Sequence, residues 1–155
     1  MPEYFLGIDL GTTATKVGLF DADGVRIALE QAVVPVDRPE PDHVEQDPND
    51  WWQSVLECWE GIRATGIDPG SVAAVGVSGH FSLAFLDALG APSRPAITWQ
   101  DARAHAEAHY LSDKYDEARI HGLFGISVPF SPAMPAAKFR WVAHNEPEVA
   151  ARTQW

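Results

Sequence analysis

Tyr4-Phe5-Leu6-Gly7-Ile8-Asp9-Leu10-Gly11-Thr12-Thr13-Ala14-Thr15-Lys16-Val17-Gly18-Leu19-Phe20 decides the fold. Residues 4–9 are a short apolar run that ends in a carboxylate, and Gly11 follows. Residues 14–20 are a second run, in which Val17 and Leu19 alternate with Lys16 and Gly18. Period-two alternation predicts a strand with one buried face. Asp21-Ala22-Asp23-Gly24 reads as a hairpin turn, because Asp and Gly tolerate the positive φ such turns use. Val25 to Val34 is then a third strand. Three strands joined by two tight turns predict an antiparallel meander, not the β-α-β unit of a dinucleotide-binding fold, and no G-x-G-x-x-G is present.

Outward from the meander, residues 35–50 are rich in proline and acidic side chains and predict a loop. It leads into a helix: Asp47 can cap, Pro48 sits at the first helical position, and Asp50 falls where the helix dipole favours negative charge. Trp52, Val55, Leu56, Trp59 and Ile62 share one apolar face at helical spacing, with Cys58 off that face or at its edge. Val72 to Ser78 predicts a buried strand, Ser82 to Leu86 another, and Pro95 to Trp99 a short extended piece. A helix is expected after Asp101, with Ala104, Ala108, Leu111 and Tyr115 on one side. A loop spans Gly122 to Pro135, and a helix covers Ala136 to Ala143. Pro147 opens a last helix that the chain end interrupts, so a fragment is expected. There are no internal repeats.

The chain has 155 residues and a formal charge of −11. A chain of this length buries roughly 68–70% of its extended surface, enough for one core. No run approaches the roughly 20 apolar residues of a membrane span. The acidic balance argues against nucleic acid as a partner, since that affinity comes from Lys and Arg on phosphates. Cys58 is the only cysteine, which excludes an intrachain disulfide and a Cys-only zinc site. No signal peptide is visible, and these features together point to the cytoplasm.

Asp9 to Lys16 carries the chemistry. A strand ends in a carboxylate, a glycine permits a tight turn, two threonines follow, and a cation lies on the next strand. Backbone N–H groups of such a turn can form an anion-binding concavity. The Thr12 and Thr13 hydroxyls can donate to phosphate oxygens, and Lys16 supplies charge. Asp9 would repel phosphate unless a cation lay between them, so its natural role is to hold Mg²⁺ through water. The plain alternative is an ordinary hairpin with a solvated strand end. It is not a Walker A loop, whose helix and Gly-Lys-Ser/Thr ending are missing.

Residues Phe5 to Thr13 with Lys16 resemble the first phosphate motif of the actin-like ATPase superfamily. Further segments narrow the resemblance to FGGY carbohydrate kinases, xylulokinase-like members above all. Val44-Glu45-Gln46-Asp47-Pro48 with Trp51-Trp52 is similar to that family's EQDP…WW segment, and Gly76-Val77-Ser78-Gly79 to its sugar-site strand. Pro95 to Arg103 resembles its PAI.W.D.R segment. Lys138-Phe139-Arg140-Trp141 with Glu146-Pro147-Glu148 resembles its K..W…EPE run. The segments occur in the family's order along nearly the whole chain. The resemblance implies an α/β ribonuclease H-like (actin-like ATPase) domain, a three-stranded antiparallel meander extended by two parallel strands and flanked by helices. It implies transfer of the ATP γ-phosphate to a sugar or polyol hydroxyl with Mg²⁺. In the family the substrate lies in a cleft between two such domains, and the catalytic base, the second phosphate motif and the adenine pocket belong to the second. Residues 1–155 are therefore expected to be the sugar-binding N-terminal part, inactive alone, of an enzyme whose C-terminal ATP-binding domain lies elsewhere. A homodimer of the complete enzyme is compatible with this.

By the same resemblance Asp9 positions Mg²⁺ and phosphate, Gly11, Thr12, Thr13 and Lys16 bind nucleotide phosphate, and His80, Phe81, Ser82, Trp99, Asp101 and Arg103 face the sugar. The chain departs from the family after Gly79. Xylulose-type members carry Gln-Met-His there and glycerol-type members Gln-Arg-Glu, where this sequence has His80-Phe81-Ser82. The aromatic Phe81 suits stacking on a carbon chain better than bidentate hydroxyl recognition. Asp101 is expected either to accept a sugar hydroxyl or to cap the helix that follows, and Arg103 to pair with Asp101 or to touch substrate. His105 and His109 share a helix face with Asp101 at four-residue spacing, and His43 sits among acidic neighbours; both are read as solvated polar surface before metal sites. Nothing near Cys58 would lower its pKa. The competing function class is a non-catalytic nucleotide-binding or assembly domain of the actin-like superfamily, which has no use for the sugar-site segments.

Overall fold

The computed structural model describes residues 3–125 and 130–154. The chain divides into two compact units: Met1–Val36 with Asp47–His80, and Asp37–Gln46 with Phe81–Trp155.

In the first unit β1 (Tyr4–Leu10) and β2 (Ala14–Phe20) pair antiparallel, with Asp9 opposite Lys16, and β3 (Arg26–Val33) continues the meander beside β2. Asp21 holds the second turn: its Oδ1 accepts from the Asp23 and Val25 amides, and Gly24 takes a φ of 78°. The alternation puts Leu6, Val17, Leu19 and Ala32 on one face, where α1 (Pro48–Arg63) covers them with Cys58 and Ile62. Each of the Leu, Val and Ile side chains, once buried, contributes roughly 1.5–3 kcal/mol. Asp47 caps α1 by accepting from the Asn49 amide, as its place in the sequence predicts.

The face α1 buries differs from the expected one. Trp52 is 61% exposed and Leu56 is exposed, whereas Ser54, Cys58 and Ile62 point into the core. Ser54 Oγ donates to the Trp51 carbonyl at 2.7 Å, so the 2.6 Å contact with Thr15 Oγ1 has Thr15 as donor. That polar pair, and the Cys58 Sγ 3.8 Å from the Thr15 carbonyl, seat the helix on β2.

A short 3₁₀ turn at Pro69–Ser71 leads into the last strand of this sheet, Val72–Gly79, parallel to β1 and at the sheet's edge. It was expected to be buried and is exposed along nearly its whole length. It has one strand neighbour, and α1 packs chiefly on β2 and β3. Among the described residues the meander is thus extended by one parallel strand.

In the second unit β4 (Glu45–Gln46) pairs antiparallel with β5 (Ala96–Ile97). The expected strand over Ser82–Leu86 is reduced to two isolated bridges, Leu83 to Ile97 and Leu86 to Pro92, because Asp87 turns the chain back by accepting from the Leu89 and Ala91 amides. The helices are α2 (His105–Lys114), α3 (Glu117–Phe124), α4 (Pro135–Asn145) and α5 (Pro147–Arg152). Ala104 and Ala108 pack with Ile120, Phe130 and Ala137, as the predicted face requires, and Phe85, Ile97 and Val142 form a second cluster. Part of the loop expected at Gly122–Pro135 is helical, since α3 runs to Phe124; positions 126–129 of that loop lie outside the described residues. α5 ends at Arg152, before the end of the chain, where Thr153 N bonds the Val149 carbonyl.

Candidate functional site

The β1–β2 turn is closed by Gly11 N donating to Ala14 O at 3.1 Å. A Cβ on Gly11 would lie 2.6 Å from that same oxygen, so the turn needs glycine for space. Val34 N donates to Thr13 O at 3.0 Å and ties the turn to the end of β3. Thr12 is half-buried and Thr13 exposed. Asp9 and Lys16 are register partners, Ser78 is the register partner of Asp9 on the parallel strand, and all three are exposed. They line an open depression of about 480 Å³ whose floor is Gly7, Gly18 and Gly76, one row across three strands. An exposed carboxylate and threonine hydroxyls are hard-oxygen groups, and the neighbouring ammonium complements a phosphate. The oxygens suit Mg²⁺, which binds through one or two carboxylates and keeps its waters and phosphate oxygens. Among the described residues no group of three or more His, Cys, Asp or Glu gathers as a closed metal cage. Just past the parallel strand, His80 N donates to Leu10 O at 3.0 Å, and its half-buried ring meets Trp51 edge-on at 5.2 Å.

In the second unit Phe81 is exposed, and Ser82 Oγ accepts from Trp99 N at 3.2 Å. Trp99, 47% exposed, sits in a turn closed by Asp101 N donating to Thr98 O at 3.1 Å. Thr98 is fixed from behind, since its N and Oγ1 each donate to Val44 O at 3.0 Å.

Asp101 and Arg103 depart from the expectation that they face a sugar, and Arg103 takes the other arrangement expected of it, a pair with Asp101. The Asp101 side chain is 0% exposed and the Arg103 side chain 2%. The Asp101 carboxylate accepts from Val44 N at 2.6 Å, from Arg103 N, and from the Arg103 guanidinium at 2.7–3.0 Å. Burial alone would raise the Asp101 pKa; the bonds from Arg103 and the Val44 amide outweigh it and hold it below 3.8. Burial opposes the charge on Arg103 too, and Asp101 and Glu45 outweigh it, so its pKa stands above the ordinary value. Nor does Asp101 cap the helix: α2 starts at His105 without a side-chain cap. The physical reason is the backbone just before β4, which presents the Val44 amide to the carboxylate before the helix begins.

Sequence reasoning missed the rest of this clasp. Glu45 accepts from both Arg94 and Arg103, Arg94 reaches Glu146 at 2.7 Å, and the Arg103 guanidinium lies 4.9 Å from the Trp141 ring centre. It also missed Lys138, 0% exposed, whose Nζ donates to Thr98 O at 2.7 Å. The available signal was an arginine or lysine placed amid apolar residues, as in Lys138-Phe139. The groupings are therefore Asp9, Lys16 and the Gly11–Thr13 turn in one unit, and Ser82 with Trp99, and Asp101 with Arg103, in the other. Among the described residues no helix is long and apolar enough to cross a membrane.

The FGGY family of carbohydrate kinases, N-terminal domain, matches residues 4–155. A glycerol kinase of Marinomonas sp. (strain MWYL1) is 34% identical over 148 residues, covering 94% of this chain and 30% of that protein. The xylulose kinase of Escherichia coli (strain K12) is also 34% identical over 148 residues, covering 94% of this chain and 29% of that protein. The crystal structure of a xyloylose kinase from Brucella ovis superposes with a TM-score of 0.88 at 31% identity over 97% of this chain and 31% of that one. The chain thus spans about 30% of the length of these relatives, and the solved Brucella ovis structure shares its α/β ribonuclease H-like (actin-like ATPase) fold. With residues 4–155 matched and two relatives above 30% identity, the chain belongs to the FGGY family of carbohydrate kinases.

Proposed function

We propose that this chain is the N-terminal, sugar-binding part of a cytoplasmic ATP-dependent kinase that transfers the γ-phosphate to a hydroxyl of a small sugar or polyol, a xylulose-like ketose above others. The observation that carries the reading is the exposed pairing of Asp9 with Lys16 across the β1–β2 hairpin, beside an open depression. Asp9 would hold Mg²⁺, and the Gly11 turn amides, Thr12, Thr13 and Lys16 would bind phosphate oxygens. When bound, Mg²⁺ neutralises charge that develops on the transferred group. His80, Phe81, Ser82 and Trp99 supply the sugar-facing surface, Phe81 and Trp99 by stacking on carbon. Asp101 and Arg103 act behind it by fixing the turn that carries Trp99.

No residue in this chain is assigned as the base that takes the acceptor proton. Asp9 is committed to the metal and Asp101 is buried in an ion pair. The base, the second phosphate motif and the adenine pocket are assigned to a C-terminal domain of the full-length enzyme. The test is ADP release by the full-length protein with ATP, Mg²⁺ and a panel of pentuloses, hexuloses and polyols. Release that depends on one acceptor class supports the kinase. ATP binding or hydrolysis indifferent to every acceptor refutes it and favours a nucleotide-driven assembly domain.

A further inference from the structure

Lys138 stands apart from every role assigned above. It lies on α4, between Ala137 and Phe139, and is fully buried. Taking an ammonium out of water carries a large desolvation cost, and a hydrophobic side chain of the same volume would serve packing as well or better. Burial pushes the Lys138 pKa down to about 8, with the Asp101 charge pulling it up and Arg103 pushing it further down. What the ammonium reaches is therefore informative, and it reaches the Thr98 carbonyl at 2.7 Å.

Thr98 O already accepts from Asp101 N at 3.1 Å, the bond that closes the turn over Trp99 and Gln100. The strand ladder has ended by this point: Ile97 pairs with Leu83 on one side, and Thr98 N with Val44 O on the other. Lys138 supplies a second donor to a carbonyl with two lone pairs, at the residue where β5 becomes a turn. One end of the turn is held by Lys138, the other by the buried Asp101 carboxylate. Trp99, 47% exposed, lies within this turn, and its amide is caught by Ser82.

We propose that Lys138 is a positioning residue for the sugar-facing surface, fixing the Thr98–Asp101 turn and so the orientation of Trp99 against Ser82. The proposal rests on the reading of Trp99 and Ser82 as sugar-facing. The charged groups around Lys138 are few. Asp101 and Arg103 face it from the turn. From α2, Glu107 lies 3.7 Å from His144 of α4; from β4 and the start of α5, Glu45 and Glu146 are paired with Arg103 and Arg94. The titration of Lys138 is thus set by burial and by that one ion pair.

The experiment measures KM for acceptor and for ATP separately in the full-length kinase, from pH 7 to 9.5, for the unsubstituted enzyme, Lys138→Met, Lys138→Arg and Trp99→Ala. Lys138→Met is expected to raise acceptor KM tenfold or more while ATP KM stays within twofold, and Lys138→Arg to recover most of the loss. The unsubstituted enzyme needs no variant to fold: its acceptor KM is expected to rise at least threefold above pH 8, because a neutral amine donates a weaker bond than an ammonium. Lys138→Arg should stay flat over that range. A flat acceptor KM in the unsubstituted enzyme, a Lys138→Met effect confined to melting temperature, or parallel rises in both KM values would overturn the proposal. Trp99→Ala separates the two levels. If it leaves acceptor KM unchanged, the sugar-facing reading fails and the role of Lys138 fails with it. If it raises acceptor KM and Lys138→Met does not, only the role of Lys138 fails.

Discussion

Replacing Asp101 by Asn should unfold this protein sooner, and any rise in acceptor KM should come only together with that loss of stability. The carboxylate is sealed from solvent and accepts from the Val44 amide, the Arg103 amide and two nitrogens of the Arg103 guanidinium. Asn keeps an acceptor for one or two of these but removes the charge and points an NH₂ at donors. Arg103 then stays buried with Glu45 as its remaining carboxylate. Breaking a buried pair by removing one partner costs about 3–5 kcal/mol, and the surviving Glu45 contact places this case near the lower end. At about 2–4 °C per kcal/mol for a chain of this size, melting should fall by about 6–12 °C. The pH dependence has a definite sign. The folded-state pKa of Asp101 lies below its unfolded 3.8, so the unfolded chain binds the proton first as pH falls. The stabilisation is fully present above pH 3.8 and is lost as pH drops through the folded value. The difference in unfolding free energy between wild type and Asp101→Asn, from urea titrations read by circular dichroism, should be constant between pH 5 and 7 and shrink below pH 4. A melting change under 2 °C together with a tenfold rise in acceptor KM would refute this reasoning and return Asp101 to direct sugar contact.

The other expectations concern single groups. Gly11→Ala puts a Cβ 2.6 Å from the Ala14 carbonyl, so the turn must open; in the full-length kinase ATP KM should rise tenfold or more with acceptor KM within threefold, and a normal ATP KM would argue against the phosphate role of this turn. Asp9→Asn should lower kcat far more than it raises acceptor KM, through lost metal positioning; an unchanged kcat removes Asp9 from the chemistry. Cys58 is buried against Thr15, and burial pushes its thiol pKa up, so a thiol reagent should label it only as the protein unfolds; labelling within seconds in native buffer would contradict the packing. The folded pKa of Lys138, about 8, lies below its unfolded 10.5, so the unfolded chain holds the proton longer. Wild-type stability relative to Lys138→Met should therefore rise with pH across about 8 to 10.5, and a flat or falling difference in chemical denaturation would contradict the buried ammonium.

The elements that local sequence determines were legible. Alternation around Val17 and Leu19, the Asp21–Gly24 turn and the Asp47-Pro48 helix start each carry their own signal, and the strand register and capping follow them. What failed depended on partners far along the chain. The buried face of α1 repeats every four residues as Ser54, Cys58 and Ile62, but two of these are small and weakly apolar, so Trp52 and Leu56 dominated the pattern. Ser54 is tolerable inside because Thr15, 39 residues away, donates to it. The strand at Val72–Gly79 is apolar enough to be buried, and the sequence does not say that among the described residues it stands last in its sheet. Of the candidate site, the hairpin and Trp99 could be read as types of residue in place. The pairing of Arg103 with Asp101 was one of two arrangements their spacing allows; the burial of the pair was not legible, because it depends on the Val44 amide, 57 residues from Asp101.

Each candidate binding element has an exposed tip and a buried polar pin beneath it. Under the hairpin, Thr15 sits next to exposed Lys16 and is pinned to α1 through Ser54. Under the Trp99 turn, Thr98 is pinned by Lys138 and Val44, and Asp101 by Arg103 and Val44. The physics of the two layers differs. A tip is solvated, so changing it alters what is bound and costs little stability. A pin is desolvated, so removing one partner leaves the other unsatisfied at about 1–3 kcal/mol, more where it is charged. The sequence mixes the layers, since Thr15 and Lys16, or Trp99 and Asp101, are near neighbours along the chain. Burial separates them, and it accounts for why a carboxylate inside the resembling PAI.W.D.R segment belongs with the pins while the tryptophan two residues before it belongs with the tips.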